Sequence, residues 1–106
     1  MMYMPDAIRA MIELSEADPT RLKHRNAYNV TAMSIEPGQL ADEIRKHIPE
    51  FVIDYEIDEV RQAIADSWPR SIDDSTARAE WDWSSAYGLD AMTADMINQL
   101  KLRLAP

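Results

Sequence analysis

Two predicted helices meet in the stretch RQAIADSWPRSIDDS, which spans residues 61–75. Apolar residues at helical spacing predict a short helix from about Asp58 to Asp66. Pro69 cannot sit inside a helix, so the residues from Ser67 to Ile72 should form an irregular loop. The triplet at 73–75 then offers N-cap side chains for a helix that reaches Trp81. The stretch therefore predicts a helix–loop–helix unit.

Helices dominate the rest of the chain. Three further helices and two short strands are predicted from proline and acidic residues at helix starts and from the period of the apolar residues. The helices are residues 5–16, 37–48 and 89–104, and the strands are residues 27–30 and 51–55. Trp81 and Trp83 are spaced so that one packs under a helix end and the other in the following turn. Two short strands are too few for a large independent sheet, so we predict an α/β fold, helix-rich with short strands.

Length and composition bound the function classes. The 106 residues fit one domain, residues 1–106, and the net charge of −8 opposes binding to nucleic-acid phosphates or anionic lipid. No cysteine is present, which excludes disulfides and thiolate catalysis. No apolar run approaches the length of a membrane span and no signal peptide is evident, so we expect a cytoplasmic protein.

The chain lacks the parts that a nucleotide-cofactor enzyme uses for chemistry. It has two glycines, Gly38 and Gly88, which are too far apart to build a dinucleotide-binding loop. A Tyr-x-x-x-Lys pair is also missing, because the residues four positions after the tyrosines are Ala7, Ala32, Glu59 and Ala91. His24 and His47 have no metal-ligand spacing. We therefore predict no catalytic, cofactor-binding or metal-binding residues in this chain.

The loop that follows the short predicted helix is the best candidate for a binding function. A rigid Pro-containing loop that carries the indole of Trp68 and the guanidinium of Arg70 could wall a small polar pocket. Arg70 could pair with a carboxylate through two hydrogen bonds. The structural alternative is that Trp68 anchors the loop to the core while Arg70 bridges Asp73 or Asp74. Composition alone favours this alternative.

Several segments resemble the C-terminal part of short-chain-type L-threonine 3-dehydrogenases. The opening MMYMPDAIRA resembles the strand-to-helix junction of extended short-chain dehydrogenases, and residues 27–30 are similar to their YNV strand. Residues 74–78 with Trp81-Asp82-Trp83 resemble a segment shared with sugar-nucleotide epimerases, except that Asp82 replaces the usual glycine. The longer stretch at 61–75 is similar to the threonine dehydrogenase branch. The resemblance covers nearly the whole chain.

This resemblance implies a C-terminal substrate-binding lobe that lacks the Rossmann cofactor domain. The parent enzyme would oxidise L-threonine to 2-amino-3-oxobutanoate and pass hydride to NAD⁺, which the N-terminal region would bind. The implied substrate-binding residues are Trp68 first, then Met1 and Met2 at the domain junction, with Arg70 on the substrate carboxylate. The chain alone should be inactive, as a fragment that starts at an internal methionine.

Two alternatives remain. The chain could be the lobe of a sugar-nucleotide epimerase or dehydratase, although only Arg61 and Arg70 are placed to meet a diphosphate. It could also be a stand-alone acidic module that binds a partner protein. Apolar surface that a cofactor domain would cover tends to be buried by association, so we expect a homo-oligomer, either a dimer or a larger species.

Overall fold

Five helices make up most of the computed structural model, which describes residues 1–24 and 27–105. The helices are α1 (Met4–Glu16), α2 (Pro37–Arg45), α3 (Glu59–Asp66), α4 (Ser75–Trp81) and α5 (Leu89–Leu104). All five were predicted, and the predicted ends of α1, α3, α4 and α5 are confirmed. The end of α2 was predicted too late. Its last turn tightens through bonds from the Lys46 and His47 amides to carbonyls three residues earlier, and the proline at 49 disfavours a helical residue before it.

Local side-chain chemistry starts these helices. Glu36 and Gln39 form a reciprocal capping box at α2. The Asp58 side chain accepts hydrogen bonds from the amides of the second and third residues of α3. Asp74 occupies the N-cap position of α4 but makes no capping bond, whereas Asp73 accepts from the Ser75 amide at 2.9 Å. The predicted capping chemistry is therefore confirmed at Asp73 and wrong at Asp74.

The predicted short strands are wrong for the part of the chain that is described. Residues 27–30 and 51–55 carry no strand, so the observed class is helix-rich rather than α/β. Met1 and Met33 do exchange two backbone bonds, from the Met1 nitrogen to the Met33 oxygen at 2.7 Å and back at 3.0 Å. A strand needs a continuous hydrogen-bonding neighbour, and alternating side chains do not supply one. Within the same residues, no helix is long and apolar enough to span a lipid bilayer.

The core lies where α1 and α4 meet the turn after α4. Trp81 and Trp83 are both buried there with Ala10 and Ala77, as the spacing of the two tryptophans predicted. Trp83 is only 1% exposed, and its indole Nε1 donates to the Thr31 carbonyl oxygen at 3.2 Å. Side chains from the extended segments and from the end of α1 pack around this cluster. α2 and α5 pack against each other.

Residues 54–73 form an exposed arm. Every residue in this range is exposed, including all of α3. Val60, Ile64 and Trp68 on the arm are 71%, 53% and 69% exposed. An amphipathic helix is normally stabilised by burying its apolar face, so this face lacks a partner within the described chain.

Asp82 ends α4 in the left-handed conformation, with φ 59° and ψ 36°. This conformation is routine for glycine and tolerated by aspartate. The Asp82 carboxylate accepts a hydrogen bond from the Arg21 guanidinium at 2.9 Å, and this ion pair lowers the pKa of Asp82. The aspartate therefore substitutes for the glycine that the resemblance placed here.

Substitutions at Asp82 should separate backbone conformation from charge. Asp82→Ala should lower the Tm by about 5 °C, because alanine is disfavoured at positive φ and gains nothing in return. Asp82→Gly should match or exceed the unmodified Tm, because exposed ion pairs contribute little. Thermal unfolding followed by circular dichroism measures both. Equal losses in the two variants would show that the Arg21 pair, and not the backbone, matters at this turn.

Candidate functional site

Trp68 and Arg70 lie on the exposed arm, away from the core. Trp68 is 69% exposed, and no ion pair to Arg70 is found among residues 1–24 and 27–105. Asp74 pairs with Arg78 at 2.9 Å, and Asp73 accepts from a backbone amide. The structural alternative, in which Trp68 anchors the loop and Arg70 bridges one of these aspartates, is therefore wrong. An indole and a guanidinium remain available to a ligand or to another part of a larger protein.

Met1 and Met2 lie in a different place, at an apolar cavity of about 400 Å³. Met4, Leu40 and Met92 also line it, together with other side chains from α2 and α5. Neither Trp68 nor Arg70 lines this cavity. The four predicted site residues thus form two groups.

A cluster of hydrogen bonds around one buried carboxylate, that of Glu80, joins α4 to the segment after α1. The sequence analysis missed it. Glu80 is 7% exposed and accepts hydrogen bonds from the amides of Lys23 and His24. The His24 Nδ1 lies 2.9 Å from one Glu80 oxygen, and the Tyr28 hydroxyl donates to the other at 3.2 Å. The Tyr28 ring also stands edge-on to Trp81, with 4.8 Å between centroids. No local pattern signals this cluster, because Glu80 lies more than fifty residues from Lys23, His24 and Tyr28 in sequence.

The hydrogen bonds to Glu80 fix its chemistry. Burial alone raises the pKa of Glu80, but the bonds from Lys23, His24 and Tyr28 together outweigh burial and lower it. A carboxylate that is held ionised and already accepts several bonds is a poor proton acceptor in catalysis. Glu80 therefore has a structural role, which is to join α4 to Lys23, His24 and Tyr28.

The surroundings of Tyr3 disfavour its ionised form. Its hydroxyl donates to the Asp95 carboxylate at 2.7 Å, and its ring packs edge-on against Tyr87 at 4.9 Å between centroids. The hydrogen bond to Asp95, followed by burial, raises the pKa of Tyr3. A catalytic tyrosine needs the opposite shift.

The residues present do not fit a dinucleotide cofactor. Gly38 lies in the first turn of α2, where an added Cβ would meet nothing nearer than the Tyr55 hydroxyl at 3.8 Å. Gly88 precedes α5 with an ordinary negative φ of −82°. Neither glycine keeps the backbone open for a pyrophosphate, which a dinucleotide loop must do. The described residues also contain no group of three or more His, Asp or Glu side chains that could hold a metal ion.

This chain is similar to part of L-threonine 3-dehydrogenases and to part of uncharacterized epimerase/dehydratases. No family model matches it. It is 52% identical over 98 residues to the mitochondrial L-threonine 3-dehydrogenase of Sus scrofa. The matched region covers 92% of this chain and 26% of that protein. It is 54% identical over 101 residues to an uncharacterized epimerase/dehydratase of Staphylococcus saprophyticus, with 95% and 32% covered.

Solved structures agree with these relatives. The L-threonine dehydrogenase of Clostridium difficile superposes with a TM-score of 0.91 at 53% identity, over 97% of this chain and 32% of that one. The GalE-like L-threonine dehydrogenase of Cupriavidus necator superposes with a TM-score of 0.89 at 57% identity, over 95% and 32%. The chain spans about a third or less of the length of the curated relatives. It is therefore homologous to a C-terminal part of the L-threonine 3-dehydrogenases and epimerase/dehydratases of the extended short-chain type.

Proposed function

We propose that this chain is the substrate-binding part of an NAD-dependent L-threonine 3-dehydrogenase, which converts L-threonine to 2-amino-3-oxobutanoate. The observation that carries the proposal is the backbone match to solved L-threonine dehydrogenases at 53–57% identity. NAD⁺ and the proton-transferring residues belong to the parent protein outside this chain. The 106 residues alone therefore bind no cofactor and have no dehydrogenase activity.

Within that function, the exposed arm supplies the polar end of the substrate pocket. L-Threonine carries a carboxylate, and Arg70 offers a guanidinium that has no ion pair within residues 1–24 and 27–105. Trp68 would cover the substrate from solvent, which strengthens that charge pairing. Met1, which is 56% exposed, and Met2 lie apart from Trp68 and Arg70, so we propose that they act on the substrate side as a separate apolar surface at the domain junction.

Replacing Arg70 in a complete enzyme should weaken substrate binding. We would graft this chain onto the cofactor-binding part of the Cupriavidus necator enzyme and measure NADH formation from L-threonine. Arg70→Gln should raise KM for L-threonine about tenfold or more, because the carboxylate loses its charged partner. Trp68→Ala should lower kcat/KM by a similar factor.

Arg61 provides the matched control. It lies on the same arm, and its side chain is 88% exposed. Its Nε lies 4.0 Å from Asp58 Oδ2, which is too long for a strong ion pair. Arg61→Gln should leave KM unchanged. If the graft is active and both glutamine variants have the same KM, Arg70 does not bind the substrate. If the graft is inactive although the lobe is folded, the result counts against the proposed function itself.

A second candidate is an epimerase or dehydratase that acts on a sugar nucleotide. The name of the Staphylococcus saprophyticus relative favours it. The net charge of −8 opposes it mildly, because a nucleotide diphosphate needs converging basic groups. The same graft separates the two, since turnover of a uridine diphosphate sugar without NADH formation from L-threonine would select this candidate.

The proposal extends to partners and location. The protein would act in the cytoplasm as a homo-oligomer, with no nucleic-acid or membrane partner. The exposed apolar residues of α1, among them Met11 at 74%, support association. Size-exclusion chromatography with light scattering tests it, and a monomer at high concentration would contradict it.

A further inference from the structure

We propose that Tyr3 and Asp95 are positioning residues that hold Met1 in the orientation required at the substrate site. The proposal rests on the proposed function, because it assumes that Met1 faces the substrate of an L-threonine 3-dehydrogenase. Neither Tyr3 nor Asp95 contacts the substrate in this role. They act by fixing residues 1–3 against α5, which lies at the far end of the chain.

The Tyr3 side chain is fixed at two points. Its hydroxyl donates to Asp95 Oδ2 at 2.7 Å in a partly buried setting, and its ring stands edge-on to Tyr87 with 4.9 Å between the ring centroids. A hydrogen bond to an ionised carboxylate is stronger than one between neutral groups. Tyrosine has only two side-chain torsions, so little conformational entropy is lost when both contacts form. The two contacts therefore fix the backbone at residue 3.

Met1 depends on this anchor because its side chain is largely in solvent. Met1 is 56% exposed, whereas the neighbouring Met2 packs against the buried core. The Met1 nitrogen donates to the Met33 oxygen at 2.7 Å, and the Met33 amide donates back at 3.0 Å. A pairing of two short segments is marginal in water by itself. The Tyr3 anchor, two residues away, therefore stabilises this pairing and with it the direction of the Met1 side chain.

Hydrogen exchange of the 106-residue chain tests the positioning without any enzyme assay. The Met33 amide reports the pairing, because it donates to the Met1 oxygen. Tyr3→Phe keeps the ring and removes the hydroxyl, so the Met33 amide should exchange about tenfold faster while the amides of α4 keep their rates. Asp95→Asn keeps an acceptor oxygen and should show a smaller increase. An unchanged Met33 rate in Tyr3→Phe, or an equal increase throughout α4, would overturn the proposal.

Enzyme kinetics of the graft test whether the position of Met1 matters to the substrate. Tyr3→Phe should raise KM for L-threonine about fivefold and leave KM for NAD⁺ unchanged, because a displaced Met1 loses contact with the substrate alone. A purely structural defect would instead reduce the amount of active enzyme, which lowers kcat and changes neither KM. Asp95→Ala should match Tyr3→Phe. The double variant should be no worse than either single variant, since both remove the same hydrogen bond.

Tyr28→Phe is the matched control. It also removes a hydroxyl that donates to a carboxylate, that of Glu80 at 3.2 Å, but this bond belongs to the structural cluster around Glu80. It should leave both KM values unchanged. If the unmodified graft forms NADH and Tyr3→Phe has the same KM for L-threonine, the positioning role is wrong although the function stands. If the unmodified graft forms no NADH although the Met33 amide responds as expected, the proposed function fails, and the substrate role of Tyr3 fails with it.

Discussion

Trp83→Ala should remove about 3–5 kcal/mol of folding free energy, which is a large fraction of the roughly 5–15 kcal/mol typical of a small domain. The indole is 1% exposed and packs with Ala10, Ala77 and Trp81. Its Nε1 donates to the Thr31 carbonyl, and the Arg9 guanidinium lies 4.8 Å from its ring centre. Alanine would leave a large cavity and lose both polar contacts. Urea unfolding followed by circular dichroism should show a much lower unfolding midpoint for this variant.

Two further substitutions, Trp68→Ala and Trp83→Phe, serve as comparisons for Trp83→Ala. Trp68→Ala should change the free energy of unfolding by less than about 0.5 kcal/mol, because Trp68 is 69% exposed. Trp83→Phe should fall between the two, since it keeps a ring but loses the bond to Thr31. Similar unfolding midpoints for Trp83→Ala and Trp68→Ala would mean that the core does not form around Trp83.

The contrast between these tryptophans shows what the sequence alone could predict. Helices follow from signals within a few residues, such as Asp58 at the start of α3, and all five were predicted. The spacing of Trp81 and Trp83 placed both in the core because a helix end and its turn are local geometry. The burial of Trp68 depends on distant chain, and composition favoured the wrong alternative there.

The site was less predictable because its contacts join distant segments. Glu80 receives the amide of Lys23, and Asp95 receives the hydroxyl of Tyr3, yet neither pair leaves a local spacing pattern. The resemblance identified the relatives because long runs such as residues 61–75 carry family information that local physics does not. The two strand predictions were wrong for the same reason as the predicted packing of Trp68 on the core. Both depend on contacts with distant parts of the chain, which local patterns do not specify.

Asp6 is the second side chain on which the fold depends. It is 1% exposed in the first turn of α1, and it accepts from the amides of Ala86 and Tyr87 at 3.1 and 3.0 Å. Arg9 adds a contact at 3.1 Å and also donates to the Ser84 carbonyl oxygen. One carboxylate thus joins α1 to the turn before α5. Removing its charge would leave donors in a partly buried site without a full set of acceptors.

Asp6→Asn should therefore destabilise the chain by about 2 kcal/mol at neutral pH, because charged acceptors form the stronger hydrogen bonds. Burial by itself raises the pKa of Asp6, but the bonds from Ala86, Tyr87 and Arg9 together outweigh burial and lower it. A lowered pKa in the folded state means that the ionised carboxylate stabilises the fold above about pH 4. That contribution is lost as the pH falls from about 4 through the lowered pKa.

The pH dependence distinguishes this role from simple packing. Urea unfolding of the unmodified chain and of Asp6→Asn should differ most at neutral pH, and the difference should shrink as the pH falls below about 4. Asp42→Asn is the matched control, because the Asp42 side chain is 76% exposed and its pair with Arg45 lies on the surface. It should change stability by less than about 1 kcal/mol at any pH. A difference for Asp6→Asn that stays constant down to pH 2 would show that shape, and not the charge of this carboxylate, ties α1 to the turn.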